Sequence, residues 1–291
     1  MDAAPATTRT TRRTFLRRIV RTGIAVTGTT MLGVGYSFWE ASQIRIRRQT
    51  ITLPRLPDAF AGKTIAVMTD FHNGPFVSIE FIRQTATIAQ DLAADAYALV
   101  GDFAHKGTHA TEQLPPCLAA LSQLRAPLGV YAVPGNHDMQ KSGQIYREAI
   151  PNTPLTDLTN RSFRVSIGTD SLWLAGVDDL WWGKPDLTAA LRDVPRGAEV
   201  ILLAHNPDYA EIAPDDRVGL ILSGHTHGGQ MYVPGIGTSW MPSMYGDKYR
   251  GGLVAGPKSQ VFVSRGLGEA GVPMRLNCPP EINLLTLLPA G

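Results

Sequence analysis

Tyr97-Ala98-Leu99-Val100-Gly101-Asp102 runs four uncharged residues into a glycine and a carboxylate, and the same device recurs four more times along the chain. Asp70-Phe71-His72 follows the apolar run 65–68, and Gly135-Asn136-His137-Asp138 follows 130–133. His205 follows 200–203, and Gly224-His225-Thr226-His227 follows 220–222. Each run reads as a buried strand, because strands covered on both faces lose the polar alternation of half-exposed ones. Side chains at the carboxyl ends of neighbouring strands converge on one sheet edge, so residues distant in sequence can share a small volume. Five of the seven histidines lie in these blocks.

Working outward, 291 residues allow one large domain or two small ones, and 44% hydrophobic with 18% charged residues excludes bulk disorder. The two cysteines, Cys117 and Cys278, form no metal-type pair and read as buried side chains of the core. The net charge of +2 conceals an asymmetry. The first fifty residues hold nine arginines against Asp2 and Glu40, a net of +7, which leaves the remainder at −5. An acidic body argues against nucleic-acid binding, which needs cations for the phosphates.

The basic head has its own explanation. Thr11-Arg12-Arg13-Thr14-Phe15-Leu16-Arg17 resembles a twin-arginine export signal, and the uncharged residues 22–39 that follow are rich in Gly and Thr. Residues 1–43 therefore read as a twin-arginine signal peptide or N-terminal membrane anchor, and 44–291 as one domain. Phe38-Trp39-Glu40-Ala41-Ser42 offers only a poor cleavage site. The uncharged stretch is only about as long as the shortest bilayer spans, although Tyr36, Phe38 and Trp39 suit an interface. Cleavage and retention both stay open. Either way the twin-arginine translocase is the expected export partner, and the body lies in the periplasm or on the outer face of the cytoplasmic membrane.

In the body, 79–94 has helical apolar spacing after Ser78 as N-cap, 112–124 reads as a second helix with Pro115 and Pro116 near its start, and 146–149 as a short one. Strands are expected at 162–167, 171–177, 200–204, 219–223, 252–255, 260–264 and 282–287. This is an α/β chain with two sheets and helices outside.

The residue types point to hydrolysis of a phosphate ester. Two cations about 3.5–4 Å apart neutralise phosphoryl oxygens, acidify a bound water and stabilise the leaving oxygen. Holding them needs a bridging carboxylate, for which Asp102 is the candidate, with Gly101 letting the backbone pass close. Asp70 and His72 alternate along an extended segment and can grip one cation, and the same spacing lets both imidazoles of His225 and His227 point into the site. Asn136 adds a neutral oxygen and His205 an imidazole. This mixed set suits Mn²⁺, Fe or Zn²⁺. His137 has no place among the ligands and is better used protonating the leaving alkoxide, with Asp138 or another carboxylate orienting it.

D-x-H, G-D, G-N-H-D, H and G-H-x-H, in that order over residues 63–287, resemble the calcineurin-like metallophosphoesterase superfamily. The resemblance implies a four-layer αββα sandwich of two mixed sheets. It also implies Asp70, His72 and His227 on the first metal, Asn136, His205 and His225 on the second, Asp102 bridging and His137 catalytic. Relatives often continue G-D-x-x-D, whereas His105 stands here in place of the second acid. Gly224–Gln230, Ser264-Arg265-Gly266-Leu267-Gly268, Pro273-Met274-Arg275 and Pro279-Pro280-Glu281-Ile282 are similar to the exported YaeI/YkuE-type phosphodiesterases.

The expected function is a phosphodiesterase that uses two divalent metal ions and metal-bound hydroxide outside the cytoplasmic membrane. Its rivals are a pyrophosphatase or phosphodiesterase of nucleotide-lipids or phospholipid head groups, and a membrane-tethered metal-binding envelope protein without turnover. A phosphate-ester substrate, lipid-linked or not, and membrane association through the N-terminus are the expected partners. Among other residues, His105 and His109 read as structural. Trp181-Trp182 either face substrate or membrane or cover the sheet edge. Arg265 and Arg275 either clamp a second phosphate or form surface salt bridges, and Tyr245, Lys248 and Tyr249 are candidates to line the pocket.

Overall fold

A computed structural model describes residues 11–105, 110–140, 143–213, 215–238 and 240–291; His109 lies outside them. Its strands are β1 (Arg45–Leu53), β2 (Thr64–Met68), β3 (Ala96–Val100), β4 (Val130–Val133), β5 (Thr156–Asp157), β6 (Arg161–Ile167) and β7 (Asp170–Gly176). They continue with β8 (Val200–Leu203), β9 (Val218–Ser223), β10 (Tyr232–Val233), β11 (Gly237–Thr238), β12 (Gly252–Ala255), β13 (Gln260–Val263) and β14 (Glu281–Pro289). One sheet has the order β1-β14-β2-β3-β4-β5 and a second the order β12-β13-β9-β8-β7-β6, while β10 and β11 pair by themselves. Both large sheets are mixed: β14 runs antiparallel to β2, and β6 and β12 run antiparallel to their neighbours.

The two-residue period of a strand explains why the runs read as uniformly apolar. Ile65 and Val67 of β2 enter the core between the sheets, while Ala66 and Met68 enter the layer beneath the helices. That helical layer holds α2 (Ile79–Asp91), α3 (Ala110–Leu121) and α5 (Gly143–Ala149) against the first sheet. On the far face of the second sheet, α6 (Leu187–Ala190) and α7 (Tyr209–Ile212) cover Val200, Leu202 and Ile221. Four layers result, αββα.

Ser78 caps α2 by accepting the Phe81 N–H at 3.2 Å. Pro115 and Pro116 fall inside α3 and not in its first turn. β1 has no apolar run to announce it, since Arg45, Arg47 and Arg48 occupy its first half. It forms as an edge strand, where charged side chains are tolerated, paired along its whole length with β14.

Ahead of β1 lies α1 (Arg12–Glu40), exposed over most of its length. Its last turn joins the body: Ser37, Glu40 and Ala41 are buried, and the Arg275 N–H donates to Ser37 O at 3.0 Å. Among the described residues no helix is long and apolar enough to cross a membrane.

Candidate metal centre

All five polar blocks end at one edge of the two sheets, and main-chain bonds hold them in register. Beyond the paired ends of β2 and β3, the N–H groups of Asp70, His72 and Asn73 donate to Gly101, Asp102 and Phe103 carbonyls at 2.9–3.0 Å. The His225 N–H reaches both carboxylate oxygens of Asp70 at 3.1 Å, and the Gly224 N–H reaches His205 O at 2.9 Å. The parallel strands thus continue as parallel loops.

Convergence is not achieved by the i, i+2 alternation of an extended segment. Asp70 (φ 55°), His72 (48°), Asp102 (54°), His225 (68°) and His227 (50°) all lie in the left-handed region. Each such non-glycine residue costs on the order of 1–3 kcal/mol and persists because its surroundings hold it. Glycine has a different use here than expected. Gly101 (φ 80°) makes room for the neighbouring loop, since a Cβ there would sit 2.5 Å from Gly135 N. At Gly135 a Cβ would strike the Asp102 carboxylate.

Two clusters form. In the first, His227 Nε2 lies 3.3 Å from Asp70 Oδ1, and His72 Nε2 faces His227 Nε2 at 3.0 Å. In the second, Asn136 Oδ1 lies 3.1 Å from His205 Nε2 and 2.7 Å from His225 Nδ1. Asp102 touches both: Oδ2 lies 3.5 Å from His72 Nε2 and 3.2 Å from His205 Nε2. All seven residues are buried.

The donor set fits a pair of cations. In each cluster the histidine nitrogens and carboxylate oxygens lie within 4.8 Å of one another. Among the described residues His72 Nδ1, His227 Nδ1 and His225 Nε2 have no hydrogen-bond partner, whereas His72 Nε2, His227 Nε2 and His225 Nδ1 face other members of the clusters. The His205 Nδ1–H donates to Val100 O at 2.7 Å, which leaves Nε2 as its inward atom.

Without a cation, protons and imidazoles balance the carboxylates. Burial raises the pKa of Asp70 and Asp102, but the surrounding imidazoles outweigh it, His227 for Asp70 and His205 for Asp102, so both lie below the ordinary carboxylate range. Burial also disfavours charge on His205, yet Asp102 carries its pKa up to about 10. His225, buried beside His205, is pushed down to about 3. His72 falls well below its ordinary value, through burial and then the neighbouring His137.

His137 sits half-buried at the mouth, its ring edge-on to His72 with centroids 4.6 Å apart and its N–H donating to Asp102 Oδ1 at 2.8 Å. Asp138, on the same short helix α4 (Asn136–Met139), accepts the N–H groups of Phe103, Ala104 and Gly135 and ties the second block to the third. His105, read as structural from the sequence, lies near the site: its ring centroid is 5.9 Å from those of both His72 and His137. Trp181 stands edge-on to His225 at 4.3 Å. Asp179, which the sequence reading passed over, accepts the Trp181 and Trp182 N–H groups, and burial raises its pKa to about 6. No sequence signal marks it beyond its place before the two tryptophans.

Three other expectations change. Arg275 is neither a phosphate clamp nor a surface ion pair: it is fully buried and donates to the carbonyls of Arg265, Gly268 and Cys278. Arg265 lays its side chain along Gly228 and Gly251. Tyr249 lies in the outer core with its hydroxyl on Glu211, which Lys248 also engages, so this pair fastens the loop to α7. Cys117 and Cys278 are buried free thiols, as expected.

Comparison with known proteins agrees with this geometry. Residues 63–229 match the family profile described as calcineurin-like phosphoesterase. The uncharacterized metallophosphoesterase YkuE of Bacillus subtilis is 30% identical, over 95% of this chain and 97% of its own length. Phosphodiesterase YaeI of Escherichia coli is 29% identical, over 95% of this chain and 99% of its own. A bovine transmembrane protein with metallophosphoesterase domain is 30% identical, over 92% and 62% respectively.

Proposed function

The chain belongs to the calcineurin-like phosphoesterase family of hydrolases, and we propose that it is an exported phosphodiesterase whose seven converging side chains hold two divalent cations. One observation carries the reading. A single oxygen, Asp102 Oδ2, lies between the two clusters, while its twin, Oδ1, is pinned by the His137 N–H. Asp70, His72 and His227 hold one cation, and Asn136, His205 and His225 hold the other. Mn²⁺, Fe and Zn²⁺ suit this mixed nitrogen and oxygen set.

When bound, such a pair neutralises the phosphoryl oxygens and lowers the pKa of coordinated water. The chain's own residues do the rest. Asp102 fixes the spacing of the two clusters and, through its Oδ1, the position of the His137 backbone. The His137 ring, at the mouth and not in either cluster, delivers a proton from its imidazole nitrogen to the departing ester oxygen. Trp181 and His105 flank the space in which the ester's two substituents lie. Preference for diesters is supported by the similarity to phosphodiesterase YaeI of E. coli.

A second reading, hydrolysis of a lipid-linked phosphodiester or pyrophosphate, is favoured by one feature. A cleft of about 340 Å³ lined by Phe38, Phe76, Phe81 and Pro273 opens beside the site, and Phe76 lies edge-on to His105 with centroids 6.1 Å apart. An apolar substituent of the ester would lie there.

The N-terminal pattern supports export by the twin-arginine translocase to the periplasm or the outer face of the membrane, with membrane association through α1. Replacing Arg12 and Arg13 by Lys is expected to leave the protein in the cytoplasm; unchanged export on fractionation would remove that route. The test of the central reading is Asp102→Asn, loaded with Mn²⁺ and assayed on a chromogenic phosphodiester. Turnover and metal content are expected to fall together. A fully metallated, active variant would overturn it.

A further inference from the structure

From residue 228 to residue 246 the chain has no charged side chain, although 18% of the whole sequence is charged. This segment leaves the last pair of proposed ligands and projects Ile236 (85% exposed), Trp240 (59%) and Met244 (90%) into solvent. Trp181 and Trp182 are exposed on a second loop, where Trp181 stands edge-on to His225. Large apolar side chains at such exposure are costly in water, at roughly 25 cal/mol for every Å².

Both loops are braced to present them. Buried Asp208 accepts the Ser243 hydroxyl at 2.6 Å and the Met244 N–H at 2.8 Å. Asp179 and Asp178 do the same for the tryptophan loop, accepting the N–H groups of Trp181, Trp182 and Lys184. Carboxylates, of which Asp208 and Asp179 are buried, therefore brace the bases of the apolar tips.

We propose that this rim docks on an anionic phospholipid bilayer and holds the active site over the headgroup layer. Isolated, nearly bare tips suit a fluid interface, which closes around a wedge, and tryptophan favours the boundary between water and lipid. Where α1 stays with the body on one side of the bilayer, charge complementarity comes from its first half, which carries Arg12, Arg13, Arg17, Arg18 and Arg21 with no acidic residue among exposed Phe15, Leu16, Ile19 and Val20.

The two features are joined in the fold. The Gln230 side chain donates to Val272 and Met274 carbonyls at 2.6 and 3.0 Å, at the root of the uncharged loop. The next residue, Arg275, donates its N–H to Ser37 of α1. The basic helix and the apolar loop thus spring from one short segment. The substrate class that follows is a phosphoester within a lipid headgroup, and this last step alone rests on the phosphodiesterase reading.

The test uses the full chain with a nitroxide at Met244→Cys, compared with one at Phe163→Cys, an exposed apolar position on β6. Vesicles of phosphatidylcholine with phosphatidylglycerol are added, and collisions with oxygen and with an aqueous nickel chelate are measured. The label at 244 is expected to move from nickel-accessible to oxygen-accessible, while that at 163 stays aqueous. A label at 244 that stays aqueous on vesicle-bound protein would show docking through α1 alone and overturn the proposal, as would absence of vesicle binding. Dipolar coupling between labels at 244 without vesicles would show that a second copy covers the rim, with the same consequence.

The variant Ile236→Ser/Trp240→Ser/Met244→Ser is expected to keep its rate on a soluble phosphodiester while vesicle partition falls by roughly tenfold or more, through lost apolar burial. Partition equal to that of the unsubstituted chain would also overturn docking. A chain that docks yet hydrolyses no phosphodiester would instead sink the phosphodiesterase reading.

Discussion

Asp70 and Asp102, on the floor of the site, are at most 1% exposed, whereas Ile236 and Met244 on its rim are almost bare. The floor places charge where water cannot reach it, and the rim places apolar groups where water cannot be avoided. Each arrangement is unfavourable alone, and each is held by hydrogen bonds from the main chain: to Asp70 from His225, to Asp208 from Met244. A protein keeps such features where a partner completes them. For the floor the fitting partner is a cation pair, and for the rim a surface less polar than water. The floor thus governs the chemistry and the rim governs where it happens.

Substitutions along the line from floor to rim should separate these roles. His137→Ala, next to the floor, is expected to keep both cations while kcat falls by about two to four orders of magnitude, the usual share of a general acid. Metal analysis beside steady-state kinetics checks this, and loss of metal would move His137 to the floor. His105→Asp places there the acid that the family resemblance implies. It should change kcat by less than about tenfold with metal content intact, as for a group that flanks the chemistry. A larger fall would place His105 among the groups that contact the ester.

The smallest effect is expected at Glu269, on the cleft flank, whose pKa burial raises to about 7. An unfolded chain ionises this carboxyl near its ordinary value of 4.5, so the folded state binds a proton more tightly. Stability from this group is intact below pH 4.5, declines as pH rises to about 7, and stays low above that. Glu269→Gln should therefore stabilise the metal-free protein at pH 8 by on the order of 1–3 kcal/mol, and do nothing at pH 4. Denaturant melts at both pH values measure it, and equal gains at both would mean that the carboxyl is not buried as described.

Much of the floor was legible in the sequence because polar blocks after apolar runs have few explanations. The strand runs, the two sheets with helices outside and the polar blocks that meet at one edge could be read directly, whereas the division into two cation sites came from the family resemblance. The left-handed backbone at Asp70, His72, Asp102, His225 and His227 could not, since no residue type there announces a positive φ. β1 was hidden because an edge strand needs little apolar signal. Arg275 was misjudged because a guanidinium is normally exposed, and only the loop folded around it supplies enough carbonyls to bury it.

The sequence alone determined which chemistry-bearing residues end each strand, because the order of apolar and polar residues dictates where a strand stops. Tertiary structure decided that Asp102 offers one oxygen to both clusters, that His105 joins His72 and His137, and that the exposed loop and α1 meet at residues 272–275. Those outcomes depend on distances between segments far apart in the chain. Only strand pairing, and the hydrogen bonds that extend it beyond the strand ends, fixes such distances.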